Sequence, residues 1–168
     1  MSISPYSASI PAFQHGFAVL AKLLDKAEAY AEEKNFKPQV LVDARLAPDM
    51  LSLAGQVQRL SDTAKGAAAR LTATEAPAFA DDEVTLADLR ARIEKTAAYL
   101  ASVPEAAFEG AEERTVVLKT RHREVSFTGQ DYLLTHALPN FYFHLTTAYA
   151  ILRHNGVPVG KLDFLGRS

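Results

Sequence analysis

The chain has 168 residues, 48% hydrophobic and 23% charged, a mixture that suits one packed globule over residues 1–168 and not a disordered segment. Eighteen Lys and Arg against twenty Asp and Glu leave a formal net charge of -2, without the basic surplus that duplex binding uses to release counterions. Cysteine is absent, which excludes disulfides, thiolate nucleophiles and Cys-ligated zinc.

Residues 1–11 (MSISPYSASIP) carry no positive charge after the initiator and no apolar run long enough for a signal peptide. With no cysteine and no Asn-x-Ser/Thr sequon, a cytoplasmic protein is expected. The first helix is predicted over residues 9–34, where Phe13, Phe17, Leu20, Leu24 and Ala27 recur at spacings of three and four. His15 falls beside this stripe and is expected to be packed or half-exposed. Residues 35–38 break the pattern.

The second helix is predicted to start near Pro48, because proline suits a first turn, where its missing N–H has no partner anyway. Met50, Leu53, Val57, Leu60, Ala64, Ala68 and Leu71 form its inner stripe. Gln56 and Gln58 lie at opposite edges of that stripe; Gln56, on the side of Leu60 and Ala67, is either a boundary residue facing water or an amide reaching into a pocket between helices. Asp43, Asp49 and Asp62 form no paired-carboxylate pattern and read as caps or surface groups. Residues 72–82 look like a loop. The third helix opens at Thr85 with Asp88 three residues on, the spacing of a capping box. It continues through Leu86, Leu89, Ile93, Ala97 and Leu100 until Pro104.

Between residues 112 and 128 the period changes to two. Val116 with Leu118, and Val125 with Phe127, predict two short strands joined by a basic tip, Lys119 to Arg123, that contains His122. A solvated turn is the expectation for that tip. The last helix begins near Thr128 and ends at Asn155–Gly156, a left-handed stop, with Pro139 predicted to kink its middle. His154, in its final turn, suits the negative end of the helix dipole. Residues 157–168 read as an apolar, glycine-punctuated tail.

Residues 132–152 contain no charge and match a membrane span in length. They also contain His136, Asn140, His144 and three threonines, groups costly to desolvate in lipid, so the inner helix of a water-soluble bundle is the better expectation. His136, Asn140 and His144 stand one turn apart, and side chains four residues apart share a face. The two histidines are either core groups bonded to neighbouring helices or the wall of a ligand pocket, and Asn140 either satisfies backbone groups loosened by Pro139 or joins that wall. Phe141, Tyr142, Phe143, Tyr149 and Phe164 concentrate aromatic surface here. Successive positions turn by about 100°, so part of the 141–143 trio must point outward. That surface is expected to meet a second subunit, the tail or both, which motivates the expectation of a homodimer. Four helices with an inserted hairpin make an all-α protein with one shared core. No phosphate loop, nucleophile elbow or His-Glu-x-x-His motif is present.

The segments ARLAPDM (44–50), DTAK (62–65) and ALPNFYFHLTTAYAILRHNGVP (137–158) resemble an uncharacterised bacterial domain-of-unknown-function family within the DinB/YfiT-like superfamily of metalloenzymes. The resemblance implies an antiparallel four-helix bundle, often dimeric. It also implies nickel or zinc held by one histidine of the second helix and a His-x-x-x-His pair of the last. His144 matches the final histidine of that pair; Asn140 stands at the earlier position, and Gln56 (or, with a slipped alignment, Gln58) stands where the second-helix histidine would be. His136 would be a substitute nitrogen ligand if the kink turned it inward. One imidazole with two amides is a poor divalent-metal set. Two functions therefore compete: a bundle that binds a small ligand between its second and fourth helices with a degenerate metal site, or a metal-dependent transferase or isomerase acting with a low-molecular-weight thiol. No nucleic-acid or membrane partner is expected.

Overall fold

In the computed structural model, which describes residues 3–119 and 124–167, the first helix, α1 (Pro5–Glu33), starts four residues earlier than its apolar stripe suggests. Ser4 caps it reciprocally with Ser7, and Pro5 occupies the first turn, where no N–H is needed. Pro11 is tolerated inside because it and Ser7, whose carbonyl loses its partner, both face solvent.

The second long helix, α3 (Leu53–Thr72), begins later than expected. The Ser52 hydroxyl accepts from the Gly55 N–H and sets the start, while Pro48 lies in a turn closed by the Met50 N–H on the Ala47 carbonyl. Met50 therefore leaves the inner stripe. A short helix, α2 (Gln39–Asp43), precedes this turn where no element was predicted. The third long helix, α4 (Leu86–Ser102), has the expected box, with Thr85 Oγ1 accepting from the Asp88 N–H at 3.1 Å. A 3-10 turn (Glu105–Phe108) leads to the hairpin of β1 (Thr115–Lys119) and β2 (Glu124–Thr128), in which Val116 faces Phe127 and Leu118 faces Val125. The rest of the predicted basic tip, with Arg121, His122 and Arg123, lies outside the described residues.

The last long helix is one continuous rod of three parts: α5 (Gly129–Tyr132), a π-helical turn (Leu133–Ala137) and α6 (Leu138–His154). At Pro139, where a kink is expected, the preceding turn widens. The Leu138 N–H donates to the Leu133 carbonyl, five residues back, so the ring of Pro139 meets no tight α turn. The rod ends at Gly156, whose φ of 91° needs a residue without a side chain. The tail is not bare: α7 (Lys161–Phe164) packs on α1, with Lys26 Nζ 2.5 Å from Asp163 Oδ1.

The four long helices contact one another in the cyclic order α1, α4, α3, α6. One cluster of buried apolar side chains runs from Ile10 to Val159. Phe141 is its aromatic centre, 4.8 Å from Phe13 and 5.6 Å from Phe17 between ring centroids, and bare Gly16 leaves room for its ring. The chain is thus mostly helical with one small antiparallel hairpin. Among the described residues no helix is long and apolar enough to cross a membrane.

Candidate functional site

Helices α3 and α6 run antiparallel, as a ladder of cross-helix hydrogen bonds records. Gln56 Oε1 lies 2.7 Å from His144 Nδ1, Asn140 Nδ2 donates to Thr63 Oγ1 at 2.7 Å, and Arg70 Nη1 donates to the Tyr132 hydroxyl at 3.3 Å. The α3 partners are spaced seven residues apart, two turns of helix. Their counterparts ascend in reverse, from 144 through 140 to 132.

The π-helical turn keeps that second row in line. In a straight α-helix, residues four apart drift by about 40°, so Tyr132 would stand about 120° away from His144. A π turn absorbs one extra residue, about 100° of rotation, and returns Tyr132 and His136 to the side of Asn140 and His144.

Between the rungs lies a cavity of about 200 Å³, lined on α3 by Arg59, Asp62, Thr63 and Arg70 and on the last rod by Tyr132, His136, Asn140 and His144, with Leu118 of β1 at its edge. His136, Asn140 and His144 therefore share one wall. Gln56 stands behind His144, 2% exposed, and is no boundary residue facing water. Gln58 points elsewhere, donating to Glu83 Oε2 at 2.9 Å.

The hydrogen bonds fix the protonation of His144. Gln56 Nε2 donates to the Leu51 carbonyl at 3.2 Å, which turns its Oε1 toward the imidazole. Nδ1 therefore carries the proton. Burial first, and the nearby Arg59 charge second, hold the His144 pKa below its usual value, so Nε2 keeps a bare lone pair at neutral pH. His136 is also held below its ordinary range, by burial and then by Arg70. Its ring stacks on Tyr132 at 5.7 Å and 23°. Burial raises the Tyr132 pKa, against the pull of Arg70, so its hydroxyl stays protonated.

Asp62, read from the sequence as a cap or surface group, is half-buried and paired. Its carboxylate meets Arg92 at 2.9 Å, Arg59 at 3.0 Å and Lys65 at 3.2 Å, and it borders the cavity. Asp43 and Asp49 are exposed, with Asp43 accepting from Gln39 at 3.0 Å. His154 and His15 are exposed as well, so the packed placement considered for His15 does not hold. Of the aromatic trio, Phe141 is buried, whereas Tyr142 and Phe143 are 40% and 54% exposed.

A divalent metal fits these donors poorly. Among the described residues no three His, Cys, Asp or Glu side chains are grouped to hold one. His136 and His144 bring at most two imidazole nitrogens to the cavity, and Asn140, whose Nδ2 donates to Thr63, has only a neutral amide oxygen to add. Arg70, which has no carboxylate partner among the described residues, borders the same cavity and disfavours a cation there, while Arg59 is paired with Asp62 at 3.0 Å. Sequence reasoning overlooked Arg59, Thr63, Arg70 and Tyr132, although the seven-residue spacing of Gln56, Thr63 and Arg70 was visible.

Residues 6–165 match DUF1993, a domain of unknown function. The chain is similar to a DinB family member protein from Shewanella denitrificans known from a crystal structure: 44% identity, TM-score 0.89, covering 96% of this chain and 91% of that one. No curated protein matches it.

Proposed function

The chain belongs to the DUF1993 family, and from that premise we propose that it is a DinB-like antiparallel four-helix bundle that binds a small polar ligand, without a metal, in the cleft between α3 and α6. The observation that carries this reading is the bond between Gln56 and His144 at 2.7 Å. An amide oxygen there locks the imidazole in one tautomer and presents a neutral, lone-pair Nε2 to the cleft, an acceptor for a ligand O–H or N–H. Thr63 and Asn140 supply neutral polar wall beside it. The cavity, about 200 Å³, is larger than the ~150 Å³ void that accepts benzene and smaller than the ~300 Å³ at which drug-sized pockets begin, so the ligand is small.

The thiol-transferase alternative needs a metal to lower the pKa of the bound thiol. The donor set described above gives no footing for it. Full-length protein purified without an affinity tag decides between the two. The ligand reading expects no stoichiometric nickel or zinc, and small polar metabolites that shift the side-chain NMR signals of Asn140 and His144. Bound metal that disappears in His144→Ala would overturn it.

The same reading includes a homodimer formed through the outer face of the last rod. Leu134, Tyr142 and Phe143 leave 52%, 40% and 54% of their surfaces exposed there. Sedimentation at micromolar concentration is expected to return two copies; a monomer removes the dimer and leaves the cleft.

A further inference from the structure

The two ends of the cleft carry their positive charge differently. At the His144 end Arg59 is neutralised by Asp62, at 3.0 Å, and by Asp81. At the other end Arg70 has no carboxylate partner among the described residues; it holds the Tyr132 hydroxyl at 3.3 Å and lies 5.9 Å from the centre of that ring. Arg70 is exposed, and its guanidinium lies over Gly66. A Cβ at Gly66 would collide with Nη1, so the missing side chain lets the guanidinium fold back along α3 beside the cleft.

The groups around it are donors. The Tyr132 hydroxyl accepts from Arg70 and keeps its own proton to give. The neutral His136 ring stacks on Tyr132 and has no hydrogen bond to a described residue, so it offers one N–H. The carboxylate bordering the cavity, Asp62, is engaged by Arg59, Lys65 and Arg92. One uncompensated guanidinium flanked by two neutral donors suits a planar or tetrahedral oxyanion and repels a cation.

We infer that the Arg70 end of the cleft binds the carboxylate or phosphate group of a small ligand, with Arg70 as the charged clamp and Tyr132 and His136 as neutral donors. This rests on the cleft being a ligand site and names the ligand's chemical class.

The test is a thermal-shift titration of the full chain with sodium phosphate and with sodium acetate, against sodium chloride at matched ionic strength. Phosphate stabilises folded proteins generally by exclusion from their surfaces, so the informative quantity is the saturable part that depends on Arg70. Losing a charge-assisted, two-pronged bond predicts that Arg70→Ala weakens that part by about tenfold or more, with Arg70→Lys falling between. Gly66→Ala, which displaces the guanidinium, is expected to weaken it too without lowering the unliganded melting temperature, so loss of folding does not imitate the result. A response confined to phosphate assigns a phosphate ligand; a comparable response to acetate assigns a carboxylate. Identical responses of the parent protein and Arg70→Ala to both anions overturn the inference. If uncharged compounds still shift the Asn140 and His144 signals in that case, only the oxyanion falls; if nothing shifts them, the cleft falls with it.

Discussion

Helix α3 faces charge on two sides and treats it in opposite ways. Toward α4 and the loop of residues 73–85, every buried charge has a counter-charge. Arg92, 3% exposed, reaches Asp62, Asp81 and Glu83, each at 2.9 Å, and the Ala80 carbonyl at 2.8 Å. Burial works against its charge, but Glu83, Asp62 and Asp81 outweigh that and hold its pKa above the usual range. Phe79 closes this side, with Lys65 Nζ 3.7 Å and Lys95 Nζ 4.1 Å from its ring centre. Toward α6, two rungs join neutral amides, a hydroxyl and an imidazole, and the third is Arg70 on the Tyr132 hydroxyl, with no carboxylate partner for Arg70 among the described residues. A charge that is buried and matched pins a loop to the scaffold; a charge left unmatched beside a cavity awaits something from solution.

That contrast breaks first at Arg92. Arg92→Met leaves three carboxylates facing one another without their shared cation, and a loss of about 3 kcal/mol is expected, a fall in melting temperature of roughly 6–12 °C. A calorimetric melt that moves by no more than a degree would show that the network holds nothing. On the opposite face the cost is smaller. Gln56→Leu strips the acceptor from the His144 N–H while preserving bulk, so urea unfolding should register a loss of about 1–2 kcal/mol. If Gln56→Leu costs as much as Arg92→Met, the two faces are not distinguished in this way.

Gly66→Ala sharpens the contrast, because its two effects have opposite signs. Alanine is the better helix former, so stability should hold or rise by up to about 1 kcal/mol while the Arg70-dependent anion response declines. Parallel movement of both quantities in urea and phosphate titrations would contradict the role given to this bare position.

The smallest effect concerns pH. His144 titrates lower in the folded protein than its ordinary 6.5, first from burial and then from Arg59. The unfolded chain therefore takes up its proton first. The stability linked to the neutral ring is complete above pH 6.5 and is lost as pH falls through the lower folded value. Between pH 7 and 5, His144→Gln should make stability decline less steeply than in the parent; equal slopes would mean that the ring is not held neutral.

Much of this architecture could be read from local signals. The Thr85–Asp88 box, the alternation on either side of the hairpin and the Asn155–Gly156 stop mark their elements because each is a short-range hydrogen-bonding or backbone preference. Pro48 misled because a proline suits a turn as well as a first helical turn, and the Ser52 hydroxyl, four residues on, decided the boundary. In the cleft, His136, Asn140 and His144 were legible as one face of one helix. Arg59, Thr63 and Arg70 were not, since their relevance arises from the pairing of α3 with the last rod, a tertiary fact. Tyr132 was hidden for a subtler reason: only the π-helical turn carries it onto the same side as His144, and the sequence marks Pro139 as a break without saying how the chain absorbs it.

The central claim, that this cleft receives an anion where its relatives' resemblance implies a cation, is tested most directly by nitrogen NMR of the Arg70 guanidinium and the His144 ring in one sample. Added in turn, phosphate or acetate should move the Arg70 signal to saturation, and zinc should leave His144 Nε2 where it was. A zinc-induced shift of His144 with an unresponsive Arg70 would contradict the account.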